Sequence, residues 1–386
     1  MSPEQHPIGH DPATTEPLVV ICILNWNGWQ DTVRCVESLR ELCYPNYLAV
    51  VVENGSLNES LERLRAWGKE HLSERAFVEY GRDQAVAGGE PPSEACLAQF
   101  PSSQRMVLIN SQENLGFNGG CNVVFRYALR RSEPADYVFL LNNDALLTPD
   151  CLTHLVAADK QSQAGIVGAV IGDRENGEIA SGGNRGNFPL LREFFWPLIT
   201  WKMAFPDREK EFEQFFYAFG TARIMRRNVL EALYDSDGYY FDEAAFIYGD
   251  EIDVGERARK RGFETVIANR ALVYHRRGSS SGGLYNPIVN YYPTRNRIRE
   301  ARALLPWYLL PAFHTFHISW NAARSLHNLR QGRRRSAVAI WRGLIDGYRG
   351  VTGKWARHDE EVLLWAEGKA EAGTRVQKSI GRGGET

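Results

Sequence analysis

The chain has 386 residues, of which 44% are hydrophobic and 24% are charged, which is the composition of an ordinary globular protein. Its 45 Lys and Arg residues nearly balance its 47 Asp and Glu residues, so the formal net charge is -2. This balance argues against a protein that binds nucleic acid over its whole surface. The length alone is consistent with two or three domains.

The N-terminal residues 1–16 are polar and lack the apolar core of a signal peptide, which predicts a flexible segment without a secretory signal. The six cysteines show no CxxC spacing, and Cys22 lies inside an apolar run. We therefore expect free thiols in a reducing, cytoplasmic compartment rather than disulfides or a zinc site. Because no run of about 18 apolar residues occurs, we expect no conventional membrane span.

Four apolar runs each end in polar residues, and helical patterns separate them. The runs are 18–24, 48–52, 106–109 and 137–141. Such runs are typical of strands covered on both faces, and their alternation with helices predicts a mostly parallel α/β sheet. Parallel strands share a direction, so their polar ends would meet at one edge, where open α/β sheets bind ligands. The Gly- and Pro-rich residues from about 81 to 104 instead predict a surface excursion.

Asn142, Asn143 and Asp144 follow the fourth run without a turn glycine. A carboxylate in this position suits Mg²⁺ or Mn²⁺ when substrate phosphates complete the coordination shell. The alternative is a plain loop, because Asn and Asp also favour turns. Thr148 and Pro149 then predict the capped start of a helix.

A glycine-rich stretch at 114–122 contains Gly116, Gly119 and Gly120 and precedes a helical pattern that begins at Cys121. We predict a loop whose backbone amides could approach a diphosphate. The stretch is neither the GxGxxG of dinucleotide folds nor a P-loop, so it is a weak signal by itself.

The second half of the chain offers two further candidates. Asp250 and Glu251 precede a helical pattern, and either carboxylate could be a general base; the alternative is ordinary negative charge at a helix N-terminus. His275 ends a short apolar run and could bind a metal, although a lone histidine is more often structural. The aromatic-rich residues 187–219 predict a loop or hairpin layer over the sheet.

These motifs, in this order, resemble the family 2 glycosyltransferases, and in particular the rhamnosyltransferase-like branch. The matching stretches are 19–28, 51–56, 113–122, 140–144, 241–243, 248–253 and 273–275, within about residues 17–300. The resemblance implies a GT-A fold, which is a Rossmann-like α/β sheet, and a nucleotide-diphosphate sugar donor linked to dTDP, UDP or GDP. It also implies inverting transfer of rhamnose or another hexose to a hydroxyl of a glycan or lipid-linked acceptor, in the synthesis of cell-surface polysaccharide or other glycans.

The resemblance further implies roles for individual residues. Asp144 takes the place of the metal-binding residue of the DxD motif, and His275 is similar in position to a histidine that can complete the metal shell. Glu53 takes the place of an acidic residue that contacts the nucleobase or ribose. The family's usual Glu-Asp order is reversed here, which puts Glu251 in the base position and leaves Asp250 as the alternative. The other donor-binding candidates are Asn25, Asn27, Asn54, Asn114, Gly116, Gly119, Gly120, Asn142 and Asn143.

We expect a catalytic domain at 17–287, a basic helical region at 288–368 and a disordered tail at 369–386. Within the catalytic domain, residues 17–150 would bind the nucleotide sugar and residues 151–287 would face the acceptor.

Residues 303–313 are apolar and broken by two prolines, and many arginines follow them. Between Arg302 and Arg357 the only acidic residue is Asp346. This combination suits peripheral contact with an anionic membrane through 303–357, at the cytoplasmic face. The alternative is a helical pair packed on the catalytic domain, or an oligomer contact.

Two other functions stay open at this point. One is a sugar nucleotidyltransferase, but the stretch 25–28 after the first strand lacks the Lys or Arg that such chemistry usually shows. The other is a catalytically silent carbohydrate-binding or scaffold protein, which the reversed order of Asp250 and Glu251 keeps open.

Overall fold

The computed structural model describes residues 16–179, 182–184, 207, 209–276, 286–362 and 364. The strands in this part of the chain are β1 Val19–Asn25, β2 Tyr47–Glu53, β3 Phe77–Gly81, β4 Met106–Asn110, β5 Tyr137–Asn142, β6 Ala145–Leu147, β7 Gly165–Asp173, β8 Gly183–Asn184, β9 Phe212–Phe215, β10 Tyr217–Ala218, β11 Ala222–Arg226 and β12 Glu264–His275. The α-helices are α1 Trp29–Leu39, α2 Ser60–His71, α3 Arg82–Val86, α4 Pro91–Leu97, α5 Gly116–Arg130, α6 Cys151–Ser162, α7 Arg227–Asp237, α8 Asp250–Arg259, α9 Pro287–Leu304, α10 Leu310–Arg330 and α11 Arg334–Tyr348.

One large sheet runs in the order β3-β4-β2-β1-β5-β11-β7-β12-β6, with β9 added on β12. The strands from β3 to β5 are mutually parallel, as the sequence predicts. Strand β11 is antiparallel to both β5 and β7, so the direction changes beside the fourth predicted strand. The prediction of a mostly parallel α/β sheet is therefore confirmed for the first half of the chain.

Apolar layers cover both faces of the sheet, which explains why its strands are continuous apolar runs. Side chains of alternate β1 residues pack into the two layers. Val19 and Ile23 lie in the cluster with Leu155 of α6, and Val20 lies in the cluster with Phe125 of α5. All six cysteines are free thiols, as expected.

Strand β3, which the sequence does not predict, extends the parallel sheet at its edge, and the largely exposed stretch from 81 to 104 contains helices α3 and α4. Two local predictions are wrong. Thr148 does not cap α6, because its hydroxyl donates to the carbonyl of Leu272 at 3.1 Å. The run ending at His275 is not short, since β12 has 12 residues and pairs with three other strands. The predicted layer at 187–219 lies mostly outside the described residues.

Helices α9, α10 and α11 pack together after the sheet. The hydroxyl of Tyr291 in α9 donates to Asp346 of α11 at 2.9 Å, and Ser325 of α10 donates to the carbonyl of Ala337 at 3.4 Å. Among the helices described, none is both long and apolar enough to cross a bilayer.

Candidate functional site

The polar ends of the parallel strands meet at one edge of the sheet. Across the strands, Asn25 of β1 lies beside Glu53 of β2, and Glu53 lies beside Asn110 of β4. Leu24 of β1 lies beside Asn142 at the end of β5. The predicted convergence of these strand ends is confirmed.

Asp144 and His275 come together although 130 residues separate them in the chain. The short strand β6 pairs with the end of β12, which sets Ala145 beside His275. Nε2 of His275 lies 3.0 Å from Oδ1 of Asp144, and the Asp144 carboxylate is buried. The side-chain nitrogen of Asn142 lies 3.5 Å from the same imidazole nitrogen.

This pair suits a hard divalent cation. Octahedral Mg²⁺ binds its ligands at about 2.0–2.1 Å, so adjacent ligand atoms lie roughly 3 Å apart. The separation of 3.0 Å between Asp144 Oδ1 and His275 Nε2 matches that spacing. Within the described residues, no group of three His, Cys, Asp or Glu side chains could hold a metal ion. A cation here would therefore need oxygen ligands from a bound substrate and from water.

The polar residues at the ends of β1 and β2 bond to the turns and the helix that follow these strands. Oδ1 of Asn25 accepts from the hydroxyl of Thr32 at 2.8 Å, and Oδ1 of Asn27 accepts from the amide of Leu57 at 2.7 Å. The buried Glu53 carboxylate accepts from the amide of Ser56 at 2.9 Å. These bonds fix the shape of the two turns that form this part of the crevice.

Asn54 ties the β2 turn to the start of α5. Its Nδ2 donates to the carbonyl of Gly116 at 3.0 Å, and its Oδ1 accepts from the amide of Leu115 at 3.2 Å. Oδ1 of Asn114 accepts from the amide of Gly116 at 2.9 Å. Two predicted donor-binding asparagines therefore hold the glycine-rich stretch in place through bonds within the protein.

The glycine-rich stretch is the beginning of a helix rather than the predicted loop, because α5 begins at Gly116. Gly116 has φ of +72°, and a Cβ there would lie 2.4 Å from the carbonyl oxygen of Phe246. A Cβ on Gly120 would lie 2.3 Å from Leu24, and Gly119 occupies the turn between these two positions. The glycines thus allow the helix N-terminus to pack closely against β1 and against the segment that precedes α8.

Asn143 bonds to the start of α1. Its Nδ2 donates to the hydroxyl of Thr32 at 3.0 Å and approaches the carbonyl of Gly28 at 3.4 Å. Thr32 thus joins Asn25 to Asn143, and it is not among the residues predicted for the site. Its place one turn into α1 resembles that of any helical threonine, so no sequence signal identifies it.

Asp250 is held in a buried ion pair. Its Oδ2 accepts from Nη2 of Arg223 at 2.7 Å, and both side chains are buried. Arg223 also donates to the carbonyl of Ala218 and lies over the ring of Phe241. Arg223 is not among the residues predicted for the site, although a charged residue inside the apolar stretch 219–225 is a signal that points to it.

Glu251 differs from its neighbour in having no arginine bonded to its carboxylate within the described residues. Its Oε1 accepts from the amide of Gly220 at 2.8 Å. Burial, together with the nearby charge of Asp250, raises the pKa of Glu251 to about 7, and the Gly220 hydrogen bond opposes this shift. A carboxyl group with this pKa exchanges its proton readily near neutral pH.

A short segment links Glu251 to the end of β5. Gly220 binds Glu251, and the carbonyl of the next residue, Thr221, accepts from the amide of Asn142 at 2.9 Å. The base candidate and the strand end that leads to Asp144 are therefore joined through two consecutive residues. The arrangement places an acidic side chain of raised pKa near the crevice that contains the Asp144–His275 pair.

A family model described as "Glycosyltransferase like family 2" matches residues 76–287, which is more than half of the chain. An N-acetylglucosaminyl-diphospho-decaprenol L-rhamnosyltransferase from Mycobacterium tuberculosis is 26% identical over 249 residues, which cover 61% of this chain and 78% of the relative. The low-salt glycan biosynthesis hexosyltransferase Agl10 from Haloferax volcanii is 22% identical over 208 residues, which cover 54% of this chain and 64% of the relative.

The fold is also similar to that of S. aureus TarS residues 1–349, solved in complex with UDP-GlcNAc. The TM-score is 0.50 at 13% sequence identity, and the match covers 86% of this chain and 81% of the other. This likeness confirms the predicted GT-A fold.

Proposed function

This chain belongs to glycosyltransferase-like family 2, and from that premise we propose that it transfers a hexose, with inversion, from a nucleotide-diphosphate donor to an acceptor hydroxyl. The observation that carries the proposal is the raised pKa of Glu251 beside a crevice that also holds the Asp144–His275 pair. An inverting displacement needs a base for the attacking hydroxyl and a positive charge that stabilises the departing diphosphate. Glu251 would supply the first, and a cation held by Asp144 and His275 would supply the second.

In the proposed mechanism, Glu251 takes the proton from the acceptor hydroxyl as that oxygen attacks the anomeric carbon from the face opposite the leaving group. The Gly220 amide orients the carboxylate through its 2.8 Å hydrogen bond to Oε1. Asp250 does not compete for this role, because Arg223 occupies its carboxylate. Its negative charge instead keeps the pKa of Glu251 raised.

Asp144 and His275 would hold a divalent metal, Mg²⁺ or Mn²⁺, together with the donor's phosphates. A bound cation supplies Lewis-acid stabilisation of the negative charge that grows on the departing diphosphate. The N-terminus of α5 faces the same crevice, and its helix dipole favours an anion there. We propose that the absence of side chains at Gly116, Gly119 and Gly120 lets the donor diphosphate come close to the backbone of α5. The nucleoside part of the donor would be bound by Asn25, Asn27, Glu53 and Asn54.

The relatives suggest which substrates to test. The Mycobacterium relative is named for rhamnosyl transfer to a lipid-linked N-acetylglucosaminyl diphosphate. We propose rhamnose or another hexose as the transferred sugar, and a glycan or lipid-linked acceptor in cell-surface polysaccharide synthesis. A panel of dTDP-, UDP- and GDP-sugars with Mn²⁺, scored by thermal shift and then by transfer, tests the proposal, because a ligand of the native state raises its stability. If no nucleotide sugar binds or is turned over, the proposal is wrong.

The pH dependence of turnover follows from the pKa of Glu251. A general base works in its deprotonated form, and the pKa of this carboxyl group is about 7. We therefore expect kcat to rise about tenfold per pH unit below 7 and to level off above pH 8. A rate that is already constant from pH 5 upward, at saturating donor, would show that an ordinary carboxylate is the base.

We also propose that α10 and α11 rest on the surface of an anionic membrane. Their outward sides carry two apolar stripes at helical spacing, Ile318, Leu326 and Leu329 on α10 and Val338, Trp341, Ile345 and Tyr348 on α11. Trp307 and Tyr308, just before α10, are 81% and 63% exposed. Exposed aromatic side chains of this kind are enriched at membrane interfaces.

The charges of this surface favour lipid over a second copy of the chain. Residues 302–349 contain eight arginines, and the one acidic residue, Asp346, is buried and bonded to Arg342. A symmetric dimer through the same face would set arginine against arginine, whereas anionic headgroups would neutralise them. Peripheral contact at the cytoplasmic face would also bring the site near a lipid-linked acceptor.

Sedimentation with liposomes tests the membrane contact. We expect the protein to bind vesicles of phosphatidylglycerol and phosphatidylcholine and to bind pure phosphatidylcholine at least about tenfold more weakly, because each surface arginine contributes about 1 kcal/mol. The triple variant Arg330→Gln, Arg334→Gln, Arg349→Gln should lose this preference. The matched control is the triple variant Arg34→Gln, Arg63→Gln, Arg259→Gln. It replaces three arginines of α1, α2 and α8 whose side chains are 55–57% exposed. Equal binding by both triple variants would contradict the proposal.

A further inference from the structure

The segment between α7 and α8 contains backbone strain. Phe246 and Tyr248 both have φ of +66°, a conformation that large side chains adopt only when their surroundings impose it. The segment ends at Gly249, immediately before Asp250 and Glu251 of α8. Its conformation therefore sets where the first turn of α8, with the proposed base, lies.

Two consecutive residues of α9 hold this segment. Nδ2 of Asn296 lies 3.1 Å from the carbonyl oxygen of Ala245, 2.9 Å from that of Ile247 and 3.1 Å from that of Tyr248. The guanidinium of Arg295 donates to the carbonyl of Ala245 at 2.8 Å. Both α9 side chains are at most 3% exposed, so these bonds are shielded from water.

The orientation of the Asn296 amide is fixed by its neighbour. Its Oδ1 accepts from Nε of Arg295 at 3.0 Å, so the NH₂ group faces the three carbonyls. Arg295 also donates to the carbonyl of Gly353, whose amide in turn donates to the carbonyl of Ala244. The two side chains and one backbone segment thus add hydrogen bonds to the carbonyls of the strained turn.

The same segment also contacts the donor side of the crevice. The carbonyl of Phe246 accepts from the amide of Asn118 in the first turn of α5, at 3.2 Å. Nδ2 of Asn118 donates to the carbonyl of Asp242 at 2.8 Å. Phe246 also lies against Gly116, where a Cβ would leave no room. One strained segment therefore connects the N-terminus of α5 with the N-terminus of α8.

We propose that Arg295 and Asn296 are positioning residues that hold residues 244–248, and through them Glu251, in reacting geometry. This inference rests on the proposed function, because it assigns Glu251 as the base. A displacement of about 1 Å in a reacting group can cost about 100-fold in rate. Both residues lie beyond residues 76–287, so the family match does not include them.

The test compares two buried asparagines of α9 that differ in what they bind. Asn296→Ala removes the bonds to the strained segment, whereas Asn290→Ala removes bonds to Asn286 and Arg324 within the helical region. Both side chains are nearly fully buried, so we expect similar losses in Tm. We expect kcat to fall about 10- to 100-fold in Asn296→Ala, with the pH profile displaced below pH 7 as Glu251 becomes more hydrated. Asn290→Ala should keep the wild-type kcat and pH profile.

Arg295→Lys gives a second, milder variant in case Asn296→Ala does not fold. It keeps the charge but loses the planar fork that reaches the carbonyls of Ala244, Ala245 and Gly353. The kcat should therefore fall, and the pH profile should shift in the same direction. A wild-type kcat and pH profile in the folded variants overturns the inference, and so does an equal loss of kcat in Asn290→Ala. In both cases wild-type transfer would leave the proposed function standing, whereas a wild type that turns over no nucleotide sugar overturns both.

Discussion

Glu251→Gln is expected to lower kcat about 10²- to 10⁴-fold while leaving the affinity for the nucleotide diphosphate near that of the wild type. The amide cannot accept a proton from the acceptor hydroxyl, but its oxygen can still accept the 2.8 Å hydrogen bond from Gly220. The first turn of α8 should therefore keep its place. Transfer measured at saturating donor, with donor affinity measured by calorimetry, separates the two effects.

Glu251→Gln should also change the pH dependence of stability, which a variant with a merely damaged site would not do. Burial and Asp250 raise the pKa of Glu251 from 4.5 to about 7, so the folded state holds this proton more tightly than the unfolded state. The stability gained from this proton is fully present below pH 4.5 and is lost as the pH rises through 7. The free energy of unfolding should fall by roughly 3 kcal/mol over this range. Glutamine does not titrate, so Glu251→Gln should gain stability relative to the wild type between pH 5 and pH 8. Urea unfolding at both pH values measures this difference.

Asp250→Asn is the matched control for the base assignment. Asp250 neutralises the buried Arg223, so its loss should lower stability by about 3 kcal/mol because a buried charge is left uncompensated. The substitution should also lower the pKa of Glu251, because it removes the negative charge of Asp250 beside that carboxyl group. If folded Asp250→Asn is inactive while Glu251→Gln turns over normally, Asp250 is the base and our assignment is wrong.

The sequence predicts the part of this site that lies in strands and at their ends. Continuous apolar runs mark strands buried on both faces, and the parallel arrangement then brings Asn25, Glu53 and Asn142 to one edge. The sequence does not predict strand β3, because Phe77–Gly81 is short and only partly buried and its apolar run is interrupted by Glu79. The start of α5 was placed five residues late because glycines are poor helix formers, and only the close contacts at Gly116 and Gly120 explain them.

The site is completed by contacts between residues that are far apart in the chain. Such contacts leave no periodic pattern in the sequence. The pairing of Asp144 with His275 depends on β6 lying beside β12, and a three-residue strand after a polar turn cannot be recognised from its own residues. The same holds for Asn296, whose partners lie 48 to 51 residues earlier in the chain. The helical region after residue 287 looked separable by composition, yet Arg295 and Asn296 tie it to the segment that carries the proposed base.

Asp144→Asn is expected to remove the Mn²⁺ dependence of nucleotide-diphosphate binding and to lower transfer at least about 100-fold. Asp144 is the only charged oxygen ligand in the turn 142–144, and Mg²⁺ and Mn²⁺ prefer carboxylate oxygens to amides. The loss should exceed the 10- to 100-fold that follows when a residue supporting a ligand is changed. Calorimetric titration of UDP, dTDP and GDP, with Mn²⁺ and with EDTA, measures the dependence directly.

Asn143→Ala is the control from the same turn, since its side chain bonds to Thr32 and Gly28 rather than approaching His275. It should keep the Mn²⁺ dependence, although the loss of its bonds can weaken the turn. His275→Gln should fall between the two, because a neutral ligand is lost while the carboxylate remains beside it. The same Mn²⁺ dependence in the wild type and in Asp144→Asn would show that the cation is held elsewhere. The Asp144–His275 contact would then be a structural hydrogen bond that joins the end of β12 to the start of β6.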